Sequence, residues 1–270
     1  MSKISISNIA WNPELDELVA SKLSSLGINL IDVAPGKYFS NFSQTSDDQV
    51  RQLKQKWNDR GFSIIGMQSL LFGTRGLNLF AEASVQKTML SYLSHVCRIG
   101  AGLGATKLVF GSPKNRDRTG LNDQEALEKG LAFFYQLGEI AKSYKVVICL
   151  EPNPECYGAN FLTKTSDTYT FVSMLNHNHV KMQLDTGAIF INQEPLEIIK
   201  KVKDQIGHIH ISEPNLSVLG TENVEHQKLG KLLGYCCIDY PRTIEMLNKN
   251  NVNAIIDIES AVRLAELYYQ

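Results

Sequence analysis

Acidic and histidine side chains follow four short apolar segments in the second half of the chain. These side chains are Glu151, Asp185, His210 and Glu259. A carboxylate that follows a buried segment is costly to bury unless a cation compensates it. Three carboxylates and one imidazole form a mostly oxygen donor set, which suits Mn²⁺, Mg²⁺ or Co²⁺, with Zn²⁺ as an alternative. We therefore predict that these four residues bind one divalent metal ion.

Two of these positions also have simpler interpretations. An acid at the end of a strand commonly caps the next helix, and Asp185, which precedes Thr186-Gly187, fits that role. His208 lies two residues before His210, so both side chains face the same side of a strand. We expect His208 to lie one layer deeper, either as a hydrogen-bonded core histidine or as a substrate contact.

Short strand-like runs alternate along the chain with longer segments whose apolar residues recur every three or four positions. This alternation predicts parallel strands joined by helices, and eight such units in about 250 residues match a single (β/α)8 TIM barrel of the α/β class. The predicted strands are Lys3–Asn8, Asn29–Val33, Ser63–Gln68, Lys107–Gly111, Val146–Glu151, Val180–Asp185, His208–Ser212 and Ala254–Glu259. The predicted helices are Glu14–Leu26, Asp48–Asn58, Val85–Gly102, Gln124–Ser143, Pro195–Val202, Tyr240–Lys249 and Ala261–Tyr269. Such a barrel has its active site at the C-terminal ends of the strands, where the four predicted ligands stand.

A doubly wound sheet is the alternative α/β architecture. It would show a glycine-rich phosphate loop after its first strand, whereas residues 8–13 contain no glycine. We therefore expect one barrel domain over residues 1–270. Its longest irregular stretch is Glu213–Cys237, and long loops inside compact domains are often functional. His226 lies in this stretch, either as an exposed loop residue or as a group that reaches the site.

The composition gives no reason to expect a nucleic-acid or membrane partner. The 270 residues include 27 basic and 28 acidic side chains, for a net charge of -1, and no basic run or transmembrane-length apolar stretch is present. The N-terminal residues alternate like a strand and lack the features of a signal peptide. Five cysteines without a CxxC spacing favour reduced thiols. We predict a cytoplasmic protein with a small-molecule partner, and we leave open whether the chain forms a homo-oligomer.

Several segments, taken in order, resemble one superfamily of barrels. They are Ile9-Ala10-Trp11-Asn12, Ile31-Asp32-Val33-Ala34-Pro35, Met67-Gln68-Ser69-Leu70-Leu71-Phe72-Gly73, Val109-Phe110-Gly111-Ser112-Pro113-Lys114-Asn115-Arg116, Leu150-Glu151-Pro152-Asn153-Pro154, Leu184-Asp185-Thr186-Gly187 and His208-Ile209-His210-Ile211-Ser212-Glu213-Pro214. With the four strand ends, they resemble the xylose isomerase-like superfamily of TIM barrels, and within it the sugar phosphate isomerase/epimerase group. The resemblance extends over nearly the whole chain.

The resemblance also implies a function and roles for individual residues. In ketose 3-epimerases and hydroxypyruvate isomerases of this superfamily, a metal ion binds a substrate carbonyl and the adjacent hydroxyl, and two glutamates move a proton through an enediolate. The implied function is a divalent-metal-dependent isomerase or epimerase of a small sugar or sugar phosphate. The metal would bind Glu151, Asp185, His210 and Glu259, and Glu259 would also be the general base.

The sequence departs from the epimerase pattern at three positions. The second catalytic glutamate of the epimerases follows the strand-five ligand by six residues, where this chain has Tyr157, and the nearest carboxylate is Glu155. Ala188 replaces a histidine, and Asn215-Leu216 stands where an arginine is expected. We leave the second catalytic acid open among Glu155, Tyr157 and His226. Tyr157 fits least, because general acids work best with a pKa near the operating pH.

Candidate substrate-binding residues lie at or after the strand ends. They are Gln68, Lys114, Arg116, Asn153 and His208. Lys114 and Arg116 follow the fourth predicted strand, where two cations suit an anionic or hydroxyl-rich substrate. The alternative is that both are ordinary solvated loop cations.

Three other functions stay open. A metal-dependent dehydratase uses the same scaffold and needs a base but no second carboxylate on the opposite face. The missing second glutamate also fits a non-catalytic sugar-binding barrel. The endonuclease IV group of the superfamily cleaves DNA at abasic sites with three metal ions, but Gln68, Gly111 and Ala188 occupy the positions of the additional histidines. The chain also lacks the basic surface that such DNA binding requires.

Overall fold

Eight parallel strands close into a barrel in the order in which they occur along the chain. We describe it from a computed structural model that covers residues 3–217, 219–237, 239–246, 254–266 and 268, with the backbone alone at residues 216 and 254–257. The strands are β1 (Ile4–Ser7), β2 (Leu30–Val33), β3 (Ser63–Met67), β4 (Lys107–Phe110), β5 (Val147–Leu150), β6 (Val180–Asp185), β7 (Ile206–Ile211) and β8 (Arg242–Ile244). Because β1 pairs with both β2 and β8, the predicted TIM barrel is confirmed.

Helices connect the strands and cover the outside of the barrel. They are α1 (Asp16–Ser25), α2 (Asp47–Asn58), α3 (Ala83–Leu103), α4 (Asp123–Ser143), α5 (Thr165–Leu175), α6 (Thr186–Ile191), α7 (Ile198–Val202), α8 (His226–Cys236) and α9 (Ala254–Glu266). Two of them begin with a capping box, formed by Ser46 with Gln49 in α2 and by Asn122 with Glu125 in α4. No helix in the described part of the chain is long and apolar enough to span a membrane.

The strands present alternate residues to the helices and to the barrel axis. Leu184 of β6 and Ile209 of β7 lie in the hydrophobic core. Their chain neighbours Asp185 and His210 therefore point to the other side, and the two are paired in register across β6 and β7. The pairing brings an acid and an imidazole side by side at the C-terminal end of the barrel.

The first seven predicted strands are confirmed, with ends that differ by at most two residues, but the eighth is wrong. The last strand is Arg242–Ile244, whereas residues 254–259 form the first half of α9. The isoleucine-rich run at 254–259 is typical of a strand. The buried positions of α9 nevertheless recur with the period of a helix, at residues 258, 261, 262 and 265.

Three predictions for the last third of the chain also differ from the structure. The predicted helix Tyr240–Lys249 is wrong where it overlaps β8, and its residues 247–249 lie outside the described residues. The predicted irregular stretch Glu213–Cys237 contains α8. The predicted last helix, Ala261–Tyr269, is the second half of α9, and its residues 267 and 269 lie outside the described residues.

Candidate active site

Four side chains from consecutive strands meet at the C-terminal end of the barrel. Glu151 follows β5, Asp185 ends β6, His210 lies on β7 and Glu245 follows β8. One ligand atom from each lies within 4.8 Å of the others. The His210 Nδ1 atom is 2.5 Å from Glu245 Oε2 and 3.6 Å from Glu151 Oε1. We call these four residues the rim cluster.

The prediction that Glu259 belongs to this cluster is wrong, and Glu245 stands in its place. Glu259 lies on α9 and accepts hydrogen bonds from Lys22 Nζ and Arg263 Nη2, both at 2.5 Å. It therefore forms surface ion pairs, which leave it neither a metal ligand nor a base at the rim. Glu245 directly follows β8, as Glu151 follows β5, but Arg242-Thr243-Ile244 contains a single apolar residue, so the sequence offers no clear signal for this strand end.

The carboxylates of the rim cluster repel one another, which changes their proton affinity. Burial, together with the charges of Glu151 and Glu245, raises the pKa of Asp185 to about 7. Burial alone lowers the pKa of His210, but the Glu245 charge and contacts with the Asp32, Glu151 and Glu245 carboxylates outweigh it. The pKa of His210 therefore lies well above its ordinary value. Without another cation, the cluster holds protons to balance its charge.

Asp185 caps the next helix and also lies in the rim cluster. Its Oδ1 atom accepts a 2.6 Å hydrogen bond from the backbone N–H of Ala188, so it caps α6. Its Oδ2 atom accepts a 2.8 Å hydrogen bond from the Ser212 hydroxyl. These two bonds fix the carboxylate while it contributes to the rim cluster.

Glycine at position 111 makes room for Glu151. A Cβ atom on Gly111 would overlap the Glu151 carboxylate, since the two residues follow the neighbouring strands β4 and β5. The carboxylate therefore lies over the end of β4, close to His210 and Glu245.

Arg116 binds the backbone at the same two strand ends and is not exposed to a substrate. Its side chain is fully buried, and Nη1 and Nη2 donate hydrogen bonds of 2.8 Å and 3.4 Å to the backbone carbonyls of Glu151 and Gly111. Burial lowers the pKa of Arg116 to about 10, and the Glu151 carboxylate opposes this shift. The predicted substrate-binding role of Arg116 is therefore wrong. Lys114 is exposed and lines neither cavity beside the rim cluster.

Two cavities, of about 240 Å³ and 370 Å³, flank the rim cluster and share Glu151 and Glu245 in their walls. Gln68 lines the first cavity and Asn153 lines the second, at the positions from which a substrate contact is predicted. Tyr157 also lines the second cavity. Within the described residues, no lysine or arginine lines either cavity.

The structure does not bring the other two catalytic candidates to these cavities. Glu155 is exposed and lines a separate groove beside α4 and α5. His226 is buried at the start of α8, where Nε2 lies 2.8 Å from Glu213 Oε2 and Nδ1 lies 2.7 Å from the Tyr268 hydroxyl. Both catalytic predictions are therefore wrong in their geometry. The sequence analysis missed Glu213, a buried acid that lines the second cavity.

A second buried group lies beneath the rim cluster. Asp32 Oδ2 is 2.6 Å from His208 Nε2 and 3.7 Å from His210 Nε2. Burial favours a raised pKa for Asp32, but the charge and hydrogen bond of His208, with a smaller contribution from His210, hold the pKa well below its usual range. His208 is thus a hydrogen-bonded core histidine and lines neither cavity, so its alternative role in substrate binding is wrong. Asp32 was identifiable as the one acid in the apolar strand Leu30–Val33.

Several known proteins are similar to this chain, at low sequence identity and with the same fold. A D-psicose 3-epimerase of Enterocloster bolteae is 23% identical over 226 residues, which are 78% of this chain and 70% of that protein. An inosose dehydratase of Clostridium beijerinckii is 26% identical over 107 residues, 36% of this chain and 35% of that protein. The crystal structure of a D-psicose 3-epimerase from Clostridium cellulolyticum with D-tagatose aligns with a TM-score of 0.83 over 100% of both chains, at 18% identity. These relatives are enzymes, in agreement with the prediction that this chain is one.

The family itself follows from a longer match. A sequence profile described as the xylose isomerase-like TIM barrel matches residues 20–267. This range contains the strands from β2 to β8 and all four residues of the rim cluster. The resemblance of the individual motifs implied the same assignment. With the closed barrel and the profile in agreement, the chain belongs to the xylose isomerase-like TIM barrel family.

Proposed function

We propose that the chain is a divalent-metal-dependent epimerase or isomerase of a small sugar, with the rim cluster as its active site. The observation that carries this proposal is the convergence of three carboxylates and one imidazole within 4.8 Å, on a wall shared by two cavities. The similarity to D-psicose 3-epimerases supports the same reaction class.

The donor set fits a hard or borderline divalent ion. Glu151, Asp185, His210 and Glu245 would hold it, and the raised pKa of Asp185 is the effect expected where carboxylates converge without a cation. When bound, such an ion acts as a Lewis acid that favours negative charge on a carbonyl oxygen of the sugar. We favour Mn²⁺, Mg²⁺ or Co²⁺ because most of the donors are oxygen atoms.

Glu151 and Glu245 are the residues we propose to move the proton. Their side chains are 16% and 20% exposed and line both cavities, whereas His210 is fully buried. A carboxylate in contact with the substrate can remove the proton from the carbon next to a carbonyl and a second can return it. These two acids provide the two catalytic carboxylates of the proposed reaction. The sequence alone leaves the second of them open, because Tyr157 stands at the position of the epimerase glutamate.

The substrate we propose is a neutral sugar, not a sugar phosphate. Phosphate groups are usually bound by arginine, lysine or a helix N-terminus. Within the described residues, neither cavity is lined by a lysine or an arginine, while Gln68, Asn153 and Tyr157 offer hydrogen-bonding groups. The start of α6 lines the second cavity through Gly187 and Ala188, but the N–H groups of both residues already donate hydrogen bonds to side chains. Uncharged hydroxyl groups suit such walls.

Solvent-proton exchange tests the proposal directly. Purified protein with saturating Mn²⁺ is incubated with a panel of neutral ketoses in D₂O, and deuterium incorporation and epimer formation are measured by NMR. We expect exchange with at least one ketose, and we expect Glu245→Gln to lower its rate about 100-fold to 10,000-fold, the usual contribution of a general base. Glu259→Gln, the matched control on α9, should leave the rate unchanged.

Two results would decide against this reaction. Absence of exchange with every ketose, while sugars still bind, would indicate a non-catalytic barrel. Loss of water from a polyol ketone without epimer formation would indicate a dehydratase, the alternative that the shorter similarity to inosose dehydratase favours. Full activity of Glu245→Gln would remove the proposed role of that residue.

A further inference from the structure

The Asp32 carboxylate lies in the interior of the barrel, one layer below the rim cluster. It is fully buried on β2, and its Oδ2 atom is 2.6 Å from His208 Nε2. A buried carboxylate without a compensating partner is strongly unfavourable, so His208 is needed to hold it there. The Asp32 Oδ1 atom has no hydrogen-bond partner within the described residues. The pair therefore has unused hydrogen-bonding capacity.

The same carboxylate faces the rear of the His210 ring. His210 Nε2 lies 3.7 Å from Asp32 Oδ2, is buried and makes no hydrogen bond to any described residue. The opposite ring nitrogen, Nδ1, faces Glu245 and Glu151 of the rim cluster. The His210 ring thus has an acidic side chain on each side, Asp32 at Nε2 and the rim carboxylates at Nδ1.

The surroundings of Asp32 leave it little freedom to move. A Cβ atom on Gly66 of the neighbouring strand β3 would lie 2.6 Å from Asp32 Oδ2, so only glycine fits beside the carboxylate. On the other side, the Thr243 hydroxyl lies 3.3 Å from His208 Nε2. Because Asp32 and His208 are already in direct hydrogen-bond contact, we interpret the pair as a support for His210 and not as a second ion site.

We propose that Asp32 is a positioning residue for His210, an inference that rests on the metal site of the proposed function. In the metal-bound protein, His210 Nε2–H would donate a hydrogen bond to the Asp32 carboxylate, which lies 3.7 Å from it and has an unpartnered Oδ1 atom within the described residues, and the Nδ1 lone pair would then face the rim cluster. His208 holds Asp32 in the position from which it does this. Carboxylates behind metal-binding histidines fix the ring and its tautomer in many metal sites, and their loss weakens metal binding about 10-fold to 100-fold.

Calorimetric titration of metal-free protein with Mn²⁺ tests this role without any assay of catalysis. We expect Asp32→Asn, which keeps the shape of the side chain but loses its charge, to raise the Mn²⁺ Kd about 10-fold to 100-fold. Asp16→Asn is the matched control. Asp16 is also a buried acid, but it accepts hydrogen bonds from Trp11 and Tyr38 outside the barrel, so its loss should leave the Kd unchanged.

The two proposals fail in different ways in this experiment. Wild-type protein that binds no divalent metal would overturn the metal site itself. Wild-type protein that binds Mn²⁺, with an equal Kd for Asp32→Asn, would overturn the positioning role of Asp32 alone.

A second measurement decides the matter even if Asp32→Asn does not fold. Wild-type protein with ¹⁵N-labelled histidine is loaded with Zn²⁺, and two-bond ¹H–¹⁵N spectra report which nitrogen of each ring carries the proton. The His210 signals are assigned as those that disappear from the spectrum of His210→Gln. We expect the His210 ring to carry its proton on Nε2, with Nδ1 bound to the metal. A His210 ring that is protonated at Nδ1 would overturn the proposal.

Discussion

At the scale of single residues, Gly111 controls where the Glu151 carboxylate can lie. We predict that Gly111→Ala displaces this carboxylate and raises the Mn²⁺ Kd at least about tenfold, equivalent to about 1.4 kcal/mol, although no charge changes. Calorimetric titration measures the Kd. Gly234→Ala on α8 is the control, because a Cβ atom there meets nothing within 4 Å. Equal Kd values for the two variants would contradict the prediction.

Proton competition at Asp185 and His210 predicts how metal binding depends on pH. The pKa of Asp185 is raised to about 7 from an ordinary 3.8, so between these values the folded metal-free protein binds more protons than the unfolded chain. This group therefore stabilises the metal-free protein less as pH rises from about 4 to about 7. A metal ion must displace protons from Asp185 and from His210, whose pKa is also raised.

The expected result is that the increase in Tm caused by Mn²⁺ grows as the pH rises from 5.5 to 7.5. Thermal unfolding at fixed ionic strength, with and without a fixed excess of Mn²⁺, measures this increase. An increase that stays constant or shrinks with pH would show that these groups do not release protons on binding.

At the scale of elements, the buried side chain of Arg116 holds the connection after β4 in place. We predict that Arg116→Ala lowers the free energy of unfolding by about 3 kcal/mol, because the charged hydrogen bonds to the Glu151 and Gly111 carbonyls are lost. Lys114→Ala, two residues earlier on the exposed side of the same turn, should change it by less than about 0.5 kcal/mol. Urea unfolding of both variants measures the difference, and equal values would contradict the anchoring role.

Seven of the eight strands could be predicted because each is an apolar run bounded by polar residues. The eighth could not be recognised by the same criterion, since Arg242–Ile244 has only three residues and begins with a buried arginine. The run at 254–259 has a stronger strand composition, but tertiary packing on the barrel makes it a helix. Local composition was therefore a poor guide where the strand was shortest.

The same misplaced strand explains what was missed in the site. Glu151, Asp185 and His210 were predicted correctly to lie together because they end clear strands, and Glu245 was replaced by Glu259 because the last strand was misplaced. Glu155 and Arg116 lie in short turns after strands and His226 is the first residue of α8, and the orientation of all three side chains depends on contacts that no local pattern specifies. Asp32 was missed because its partner, His208, is 176 residues away in the chain.

At the scale of the whole molecule, metal binding should stabilise the entire barrel, since the rim cluster draws residues from four strands. At a Mn²⁺ concentration of 100 times its Kd, we expect about 2.7 kcal/mol of added stability, which corresponds to an increase in Tm of about 5–10 °C. Thermal unfolding with EDTA and with Mn²⁺ measures it. Glu259→Gln should keep this increase and Glu245→Gln should lose most of it. Identical increases in both variants would place the metal elsewhere.

Closure of the barrel by β1 and β8 has a consequence for the nascent chain on the ribosome. Of the eight strands, β1 is synthesised before the others, but one of its two partners, Arg242–Ile244, emerges only after more than two hundred further residues. During that time β1 is an open strand edge, the kind of surface that aggregates or recruits chaperones. Glu245, directly after β8, arrives at the same moment as closure. The four proposed metal donors therefore come together only when the barrel closes, and we expect metal binding to follow closure.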